Sequence, residues 1–223
     1  MPGTSVSRKV YRRLMSAYGP QGWWSATSAW EVMVGAVLVQ NTSWRNAERA
    51  TDDLLQADRL RFERMRLLNR IQLAKQIRRA GLYRIKAERL RGLIDIVDQR
   101  FGGSVDAMGE IETPTLRSTL LDTKGIGPET ADSILCYAFD RPVIVADAYA
   151  HRVYARHGWA TPRFRYAAVQ ERMAEGLPGE PLVCNELHAL LVRVGREHCG
   201  KPAPRCEGCP LADLLPAGGP LAI

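Results

Sequence analysis

One carboxylate and one group of thiols are the side chains of this sequence best placed to do chemistry. Asp147 directly follows an apolar run at residues 142–146, and a lone carboxylate placed by an apolar approach is a candidate for catalysis. Cys199, Cys206 and Cys209 are separated by six and two residues, and the chain has five cysteines in all. In a reducing compartment, such a C-terminal group indicates a bound metal or cluster rather than disulfides.

A glycine-containing turn lies upstream of Asp147. Residues 121–127 (Leu-Asp-Thr-Lys-Gly-Ile-Gly) end one helical pattern, and Pro128 opens the next at a first helical position. We expect Gly125 and Gly127 to turn with positive φ and to present N–H groups, together with a helix N-terminus, to an anion such as a DNA phosphate. The apolar positions of the second helix share one face: Ala131, Ile134, Leu135 and Ala138.

The composition is that of a globular protein with a polyanionic partner. The chain has 223 residues, enough for one large or two small domains, and 46% of them are hydrophobic, which is ample for a buried core. The net charge of +7 favours a partner such as nucleic acid. The sequence has no apolar run of membrane-spanning length and no export-signal profile at its start, so we expect a cytoplasmic protein without a membrane partner.

Helical periodicity covers most of the sequence, and strand signals are nearly absent. The sequence therefore predicts an all-α fold, in which the apolar segment 30–39 is the central core helix. Helices are predicted at Val6–Tyr18, 30–39, 44–55, 70–79, 86–101, 115–121, from Pro128 for about a dozen residues, 149–157, 164–176 and 182–198.

The sequence contains a hairpin, a helix, an apolar run and an aspartate in this order. This pattern resembles the helix-hairpin-helix DNA glycosylases of the endonuclease III type, and the resemblance covers roughly residues 29–209. The resemblance implies two helical lobes: residues 29–141 as the middle lobe with the hairpin, and 1–28 plus 142–223 as the second lobe with the cysteines. It also implies a base-excision-repair enzyme that binds double-stranded DNA as a monomer and flips a damaged base into a cleft between the lobes.

The resemblance assigns catalysis to Asp147, whose carboxylate would stabilise positive charge on the sugar as the N-glycosidic bond breaks. Asp147 can also cap the helix that follows it, and the two roles can coexist. Family members that cut the strand carry a lysine early in the helix after the hairpin, where this chain has Glu129. A carboxylate cannot form a Schiff base, so we expect a monofunctional glycosylase with weak or absent lyase activity. Lys124 is interpreted as a phosphate contact or a solvated charge.

Tryptophans on either side of the core helix resemble those of the branch that removes alkylated purines, the 3-methyladenine glycosylases. The resemblance implies that Trp24 and Trp44 sandwich the flipped base, with Trp23 alongside; core packing is the alternative role for each of them. Indole faces favour a cationic alkylated purine, and Glu129 would add attraction if it faced the pocket. Gln40 matches the residue that fills the gap left by the flipped base, although an ordinary polar helix end would look the same.

Cys199, Cys206 and Cys209 reproduce three of the four ligands of the family's 4Fe-4S cluster, and Leu215 stands at the fourth position. We expect a 4Fe-4S cluster, for which Asp213 is the best-placed fourth ligand and Cys184 or His198 are outside options. A labile or partial cluster, or zinc bound by His198 and the three cysteines, are the alternatives. Lys201 and Arg205 lie in a loop that matches the family loop presenting charge to DNA phosphate.

Two other functions compete with an alkylpurine glycosylase. One is an oxidised-pyrimidine glycosylase with lyase activity, as in endonuclease III itself, which Glu129 and the tryptophans disfavour. The other is a DNA-binding protein without catalysis, which Asp147 disfavours.

Overall fold

The chain folds into two compact helical units. The computed structural model describes residues 5–24 and 26–223. One unit contains the described residues up to Trp23 together with Asp140–Ile223, and the other contains Trp24–Phe139. Within the described residues the α-helices are α1 Val6–Tyr18, α2 Ala29–Leu38, α3 Trp44–Gln56, α4 Phe62–Met65, α5 Arg70–Gln76, α6 Tyr83–Phe101, α7 Val105–Gly109, α8 Thr113–Leu121, α9 Pro128–Ala138, α10 Ala148–Arg156, α11 Tyr166–Ala174 and α12 Pro181–Glu197.

Helix α2 is the core of the Trp24–Phe139 unit. Eight of its ten residues are buried, as its nearly continuous apolar sequence predicts. It packs against α3, α6, α7 and α9. Ser28 caps its N-terminus by accepting the backbone N–H of Glu31, and Ser43 caps α3 in the same way through Asn46. These caps fix where α2 and α3 begin, and with them the turn at residues 39–43.

A buried ion pair joins the two helices that flank the glycine turn. Arg117 in α8 donates from Nε to Oδ1 of Asp132 in α9 at 2.6 Å, and from Nη2 to Oδ2 at 3.1 Å. The Asp132 side chain is fully buried. Two parallel hydrogen bonds of this kind restrict the angle between the helices, so they hold the turn in one shape.

The other unit is built around α12, which packs against α1 and α10, while α11 packs against α1 and α10. Tyr154 of α10 lies fully buried with its hydroxyl 2.9 Å from Ser7 Oγ, and burial raises the pKa of Tyr154 to about 12. The apolar run at residues 142–146 belongs to no helix and no strand. Gln170 of α11 donates to the carbonyl of Ile144 at 2.7 Å, which fastens this run directly before α10.

The all-helical prediction is confirmed: the described residues contain helices and no strand. Helix α6 begins at Tyr83 rather than at residue 86, directly after Leu82 with a left-handed φ of 45°. The short helices α4 and α7 were not predicted. In the described part of the chain, no helix combines the length and apolar character that crossing a bilayer requires.

Candidate active site

Asp147 is the N-cap residue of α10. Its Oδ1 accepts the backbone N–H of Ala150 at 2.8 Å, and its side chain is nearly buried, with 12% exposed. Its second oxygen, Oδ2, lies 3.8 Å from Nε2 of His188 in α12. The helix cap therefore engages one carboxylate oxygen through its hydrogen bond, while the other oxygen faces an imidazole.

The glycine turn between α8 and α9 takes its shape from Gly125. This residue has a φ of +86°, and an added Cβ would lie 2.5 Å from Nε of Arg89. The expectation of a positive φ at Gly127 is wrong, because its φ is −91° with ψ 178°, an extended conformation open to any residue. Gly127 is the N-cap residue of α9 and leaves the helix without a side-chain cap, and Pro128 occupies the first helical position as predicted. Nothing lies within 4 Å of an added Cβ at Gly127, so this point of the turn is accessible from outside.

Gln40 links the end of α2 to the glycine turn. Its Nε2 donates to the carbonyl of Gly125 at 3.2 Å and to Oγ1 of Thr130 at 2.8 Å. Its Oε1 accepts a short hydrogen bond from Nη1 of Arg89. The amide predicted to fill a gap in DNA thus also orders the turn, and entering DNA would require it to leave these partners.

Lys86 of α6 stabilises the end of α2, next to Gln40. Its ammonium group is fully buried and donates to the carbonyls of Leu38 and Ala80, each at 2.8 Å. Burial, with the nearby Arg89 charge, lowers the pKa of Lys86 to about 8. The last carbonyl of α2, that of Leu38, is therefore satisfied by a side chain from α6, which fixes the helix end that precedes Gln40.

Lys124 and Glu129 lie at the surface on either side of the glycine turn. Lys124 is 87% exposed and its Nζ lies 3.0 Å from Oε1 of Glu88, whose pKa this contact lowers. Glu129 is exposed in the first turn of α9. Its carboxylate is favourably placed for that helix end, where the macrodipole is positive.

Trp24 and Trp44 contact each other directly. Their rings are 5.2 Å apart at an interplanar angle of 81°, an edge-to-face contact, and Trp24 also lies 5.2 Å from the ring of Tyr137. The indole of Trp24 packs on Gly35, where an added Cβ would meet Cζ2 at 2.8 Å. A base stacked between two parallel rings needs about 7 Å, twice the contact distance of carbon atoms. One indole must therefore turn before the pair can enclose a base.

A cavity of about 210 Å³ opens beside these two indoles, along the groove between α2 and α3. Three carboxylates line it, those of Glu31, Glu48 and Asp52. Glu129 is not among its lining residues. Trp23, the third predicted tryptophan, is half-buried and belongs to the other unit. An aromatic cavity with carboxylate walls suits a planar cation.

The family model of the HhH-GPD superfamily base excision DNA repair proteins matches residues 34–179. That is more than half of the 223 residues. The chain belongs to the HhH-GPD superfamily. This membership agrees with the glycine turn between α8 and α9 and with the aspartate that follows it.

Several HhH-GPD proteins are similar to this chain over most of its length. A Methanocaldococcus jannaschii protein, named provisionally as a DNA repair glycosylase, is 38% identical to this chain. The match covers 92% of this chain and 94% of the M. jannaschii protein. Endonuclease III of Thermotoga maritima is 30% identical over 82% and 80% of the two chains. Among solved structures, H. pylori 3-methyladenine DNA glycosylase bound to 1,N6-ethenoadenine has a TM-score of 0.75, 26% identity and coverage of 86% and 97%. An endonuclease III–DNA complex shares the fold, with a TM-score of 0.81, 22% identity and coverage of 98% and 97%.

Three of the five cysteines of this HhH-GPD chain line one small cavity. Cys199, Cys206 and Cys209 share it with His198 and Leu215. The thiol of Cys199 accepts a hydrogen bond from Nη1 of Arg156 in α10 at 3.3 Å, and burial raises the pKa of Cys209. Within the described residues, no group of three or more His, Cys, Asp or Glu side chains is arranged to hold a metal ion.

The three thiols are the donor type of an iron–sulfur cluster and line one cavity, but among the described residues they are not positioned as a metal-binding group, and a fourth ligand is not evident. Leu215 offers no donor atom, and Asp213 forms an ion pair with Arg13. Cys184 is buried, which raises the pKa of its thiol to about 11, and it is not among the residues that line the cysteine cavity. The loop cation Arg205 donates to the carbonyl of Glu197 at 2.7 Å, and Lys201 is exposed.

Several contacts around the predicted site residues have no counterpart in the sequence pattern. His188 reaches Asp147 from another helix, and Arg117 meets Asp132 across the hairpin. Glu186 in α12 accepts the backbone N–H groups of Gln21 and Gly22 at 2.7 and 3.1 Å, directly before the tryptophans. These contacts join residues from different helices, and periodicity within one helix cannot reveal them.

Proposed function

We propose that this protein is a monofunctional DNA glycosylase that releases alkylated purines from double-stranded DNA, acting as a monomer in the cytoplasm. Membership of a base excision repair superfamily gives the reaction class. The observation that carries the substrate class is the cavity beside Trp24 and Trp44, with its carboxylate walls. A purine alkylated at N3 or N7 is cationic, so both the indole faces and the carboxylates attract it.

In the proposed reaction, the carboxylate of Asp147 acts on the sugar. The bond between C1′ and the purine nitrogen breaks, and the electron pair leaves with the base, which departs neutral because it began as a cation. Positive charge builds on the sugar ring, and the ionised Asp147 stabilises it. Water then adds to C1′, and its proton passes to Asp147 or to solvent. The cap hydrogen bond from Ala150 holds the carboxylate in a fixed orientation, which favours such electrostatic stabilisation.

The base would stack on Trp24, whose ring is braced by Gly35 and Tyr137. Trp44 would turn from its edge-to-face position to cover the other side. Substituting Trp24 or Trp44 by alanine should weaken alkylpurine release. Trp159 is the matched control, since it packs against His157 and Tyr154 and lies outside the base cavity.

DNA binding would centre on the glycine turn. Gly125 and Gly127 bring the uncapped N-terminus of α9 to the surface, where backbone N–H groups and the helix dipole can bind a phosphate. Lys124 adds a nearby charge, and Lys201 and Arg205 would provide a second backbone contact. Gln40 would fill the space of the flipped base after it leaves Thr130.

We propose that the protein lacks lyase activity, because Glu129 occupies the position at which the strand-cutting members of the family carry a lysine. Borohydride reduction traps a Schiff base as a covalent protein–DNA adduct. We expect no strong adduct with DNA containing abasic sites. A strong adduct that persists in Asp147→Asn and disappears in Lys124→Ala would show that Lys124 is an active amine and would refute this part of the proposal.

We also propose that Cys199, Cys206 and Cys209 hold a 4Fe-4S cluster, with Asp213 as fourth ligand if it leaves Arg13. When bound, the cluster would be structural: it would cross-link the loop at residues 199–209. Anaerobic purification followed by iron and sulfide assays tests this assignment. Zinc without sulfide, or neither metal, would contradict it.

The decisive experiment for substrate is incubation with methylated genomic DNA and mass spectrometric identification of the released bases. We expect 3-methyladenine, 7-methylguanine or both. Release of oxidised pyrimidines without alkylated purines would instead favour an endonuclease III-like activity. If no base is released from either substrate by metal-replete protein, the glycosylase proposal fails.

A further inference from the structure

A groove with four cationic side chains lies between α5 and the first turn of α6. We call it the basic groove and define it by Arg70, Lys75, Arg78 and Arg84, with Tyr83 between the last two. Its volume is about 640 Å³, and all four cations are exposed. None of the proposed catalytic or base-binding residues lines it.

The cations of the basic groove outnumber the single carboxylate that lines it, that of Glu88, whose charge acts on Arg70. Among the described residues, none of the four forms a salt bridge, whereas nearby arginines do: Arg66 pairs with Asp98 at 2.8 Å and Arg79 with Asp53 at 3.3 Å. Glu88 lines the groove, but its carboxylate bonds to Lys124. Four like charges in one concave surface repel one another, and an anionic ligand removes that repulsion.

Tyr83 contacts two of these cations, Arg78 and Arg84, through its ring. The guanidinium carbons of Arg78 and Arg84 lie 6.0 and 5.8 Å from the centre of its ring. Such cation–π contacts restrict both arginines, so less side-chain freedom is lost when they bind a phosphate.

The basic groove adjoins the glycine turn. Glu88 in the groove bonds to Lys124 of the turn at 3.0 Å, and the next residue, Arg89, packs against Gly125. A strand held at the turn can therefore continue along the groove. Exposed aliphatic residues, Ile71 at 79% and Ile85 at 48%, also line it and would equally suit an acidic peptide. The continuity with the turn favours DNA.

We propose that the basic groove binds the sugar–phosphate backbone of the duplex beside the damaged nucleotide, extending the DNA contact of the glycine turn. The proposal rests on the proposed function only in taking the same DNA as ligand. It does not depend on which base is released.

The test compares two fourfold variants of equal net charge. The groove variant carries Arg70→Gln, Lys75→Gln, Arg78→Gln and Arg84→Gln. The control variant carries Arg64→Gln, Arg66→Gln, Arg79→Gln and Arg100→Gln, which removes four exposed arginines that pair with carboxylates. The dissociation constant for an undamaged duplex of about 20 base pairs is measured at several salt concentrations. Thermal unfolding verifies that both variants are folded, and the pair Arg78→Gln, Arg84→Gln replaces the groove variant if it is not.

Each lost phosphate contact lowers the slope of log affinity against log salt by roughly 0.9. We expect a slope smaller by about 3 to 4 in the groove variant, by about 2 in the double variant, and little changed in the control. An equal change in groove variant and control would overturn the proposal, because net charge alone would explain it. An unchanged slope in the groove variant would also overturn it. If that variant instead lost binding of an acidic, isoleucine-containing peptide, the groove would be a protein docking surface. Because the duplex is undamaged, these outcomes do not depend on whether the enzyme releases alkylated purines.

Discussion

Replacing Asp147 separates its observed role as a helix cap from its proposed catalytic role, because the first needs a hydrogen bond and the second needs a charge. In Asp147→Asn, the side-chain oxygen can still accept the N–H of Ala150, so the helix cap is kept. The loss of stability is then limited to the charge–dipole interaction at the start of α10, about 0.3–1 kcal/mol. In Asp147→Ala the cap is also lost, at an additional cost of about 0.5–2 kcal/mol. For a protein of this size, each kcal/mol lowers Tm by about 2–4 °C.

Activity should follow a different order from stability. Both variants lack the negative charge that we propose to lie beside the sugar, so both should release bases about 10²- to 10³-fold more slowly, a loss of about 2.7–4 kcal/mol in transition-state stabilisation. This loss of transition-state stabilisation exceeds the stability lost with the helix cap. The lost cap lowers the free energy of unfolding but does not alter the rate of an enzyme that stays folded. The Asn variant should therefore be nearly as stable as the wild type and nearly as inactive as the Ala variant.

The assay is single-turnover release of alkylpurines from methylated duplex, with enzyme in excess and Tm measured for every variant. Ser104→Ala is the matched control, since it removes the cap of α7 but no charge and no proposed site residue. It should lower Tm and leave the rate close to that of the wild type. A wild-type rate in Asp147→Asn would refute the reasoning and reduce Asp147 to a helix cap.

Three further predictions concern the turn, the cysteines and the buried lysine. Gly125→Ala should destabilise the protein by about 1–2 kcal/mol in chemical denaturation, because it combines a left-handed φ with a clash against Arg89; Gly127→Ala, which meets neither problem, should keep its stability. Leu215→Cys should raise the iron and sulfide bound per protein by supplying a fourth thiolate, and unchanged metal content would contradict the three-cysteine assignment. Burial lowers the pKa of Lys86 to about 8. Between pH 8 and about 10.4, the unfolded chain therefore keeps this proton while the folded protein has released it, so the free energy of unfolding should rise with pH in this range. In Lys86→Met this rise should be smaller.

The helices were predictable because their information is local. The predicted ends of α1 match the observed ends, and those of α2 and α9 lie within one or two residues of them. Apolar periodicity, with proline or glycine at the boundaries, is sufficient to place these helices. Helices α4 and α7 have four and five residues, too few to show a period. The start of α6 was missed because a leucine, Leu82, takes a left-handed φ there, which local sequence disfavours.

The site was less predictable because its residues meet across the chain. The sequence indicates Asp147 but gives no sign of His188, which comes 41 positions later and approaches from α12. The edge-to-face contact of Trp24 and Trp44 depends on how Gly35 and Tyr137 pack, which no spacing rule encodes. Gln40 likewise bonds to residues 85 and 90 positions away.

Helix α10 has Asp147 at one end and the cysteine loop at the other. Arg152 donates to the carbonyl of Cys199, and Arg156 contacts Cys199 Sγ at 3.3 Å and the carbonyl of Gly200 at 2.8 Å. A helix of nine residues is a stiff rod of about 13 Å. A change at Cys199, such as oxidation of its thiol, would thus be transmitted along α10 to Asp147, the carboxylate that we propose to be catalytic.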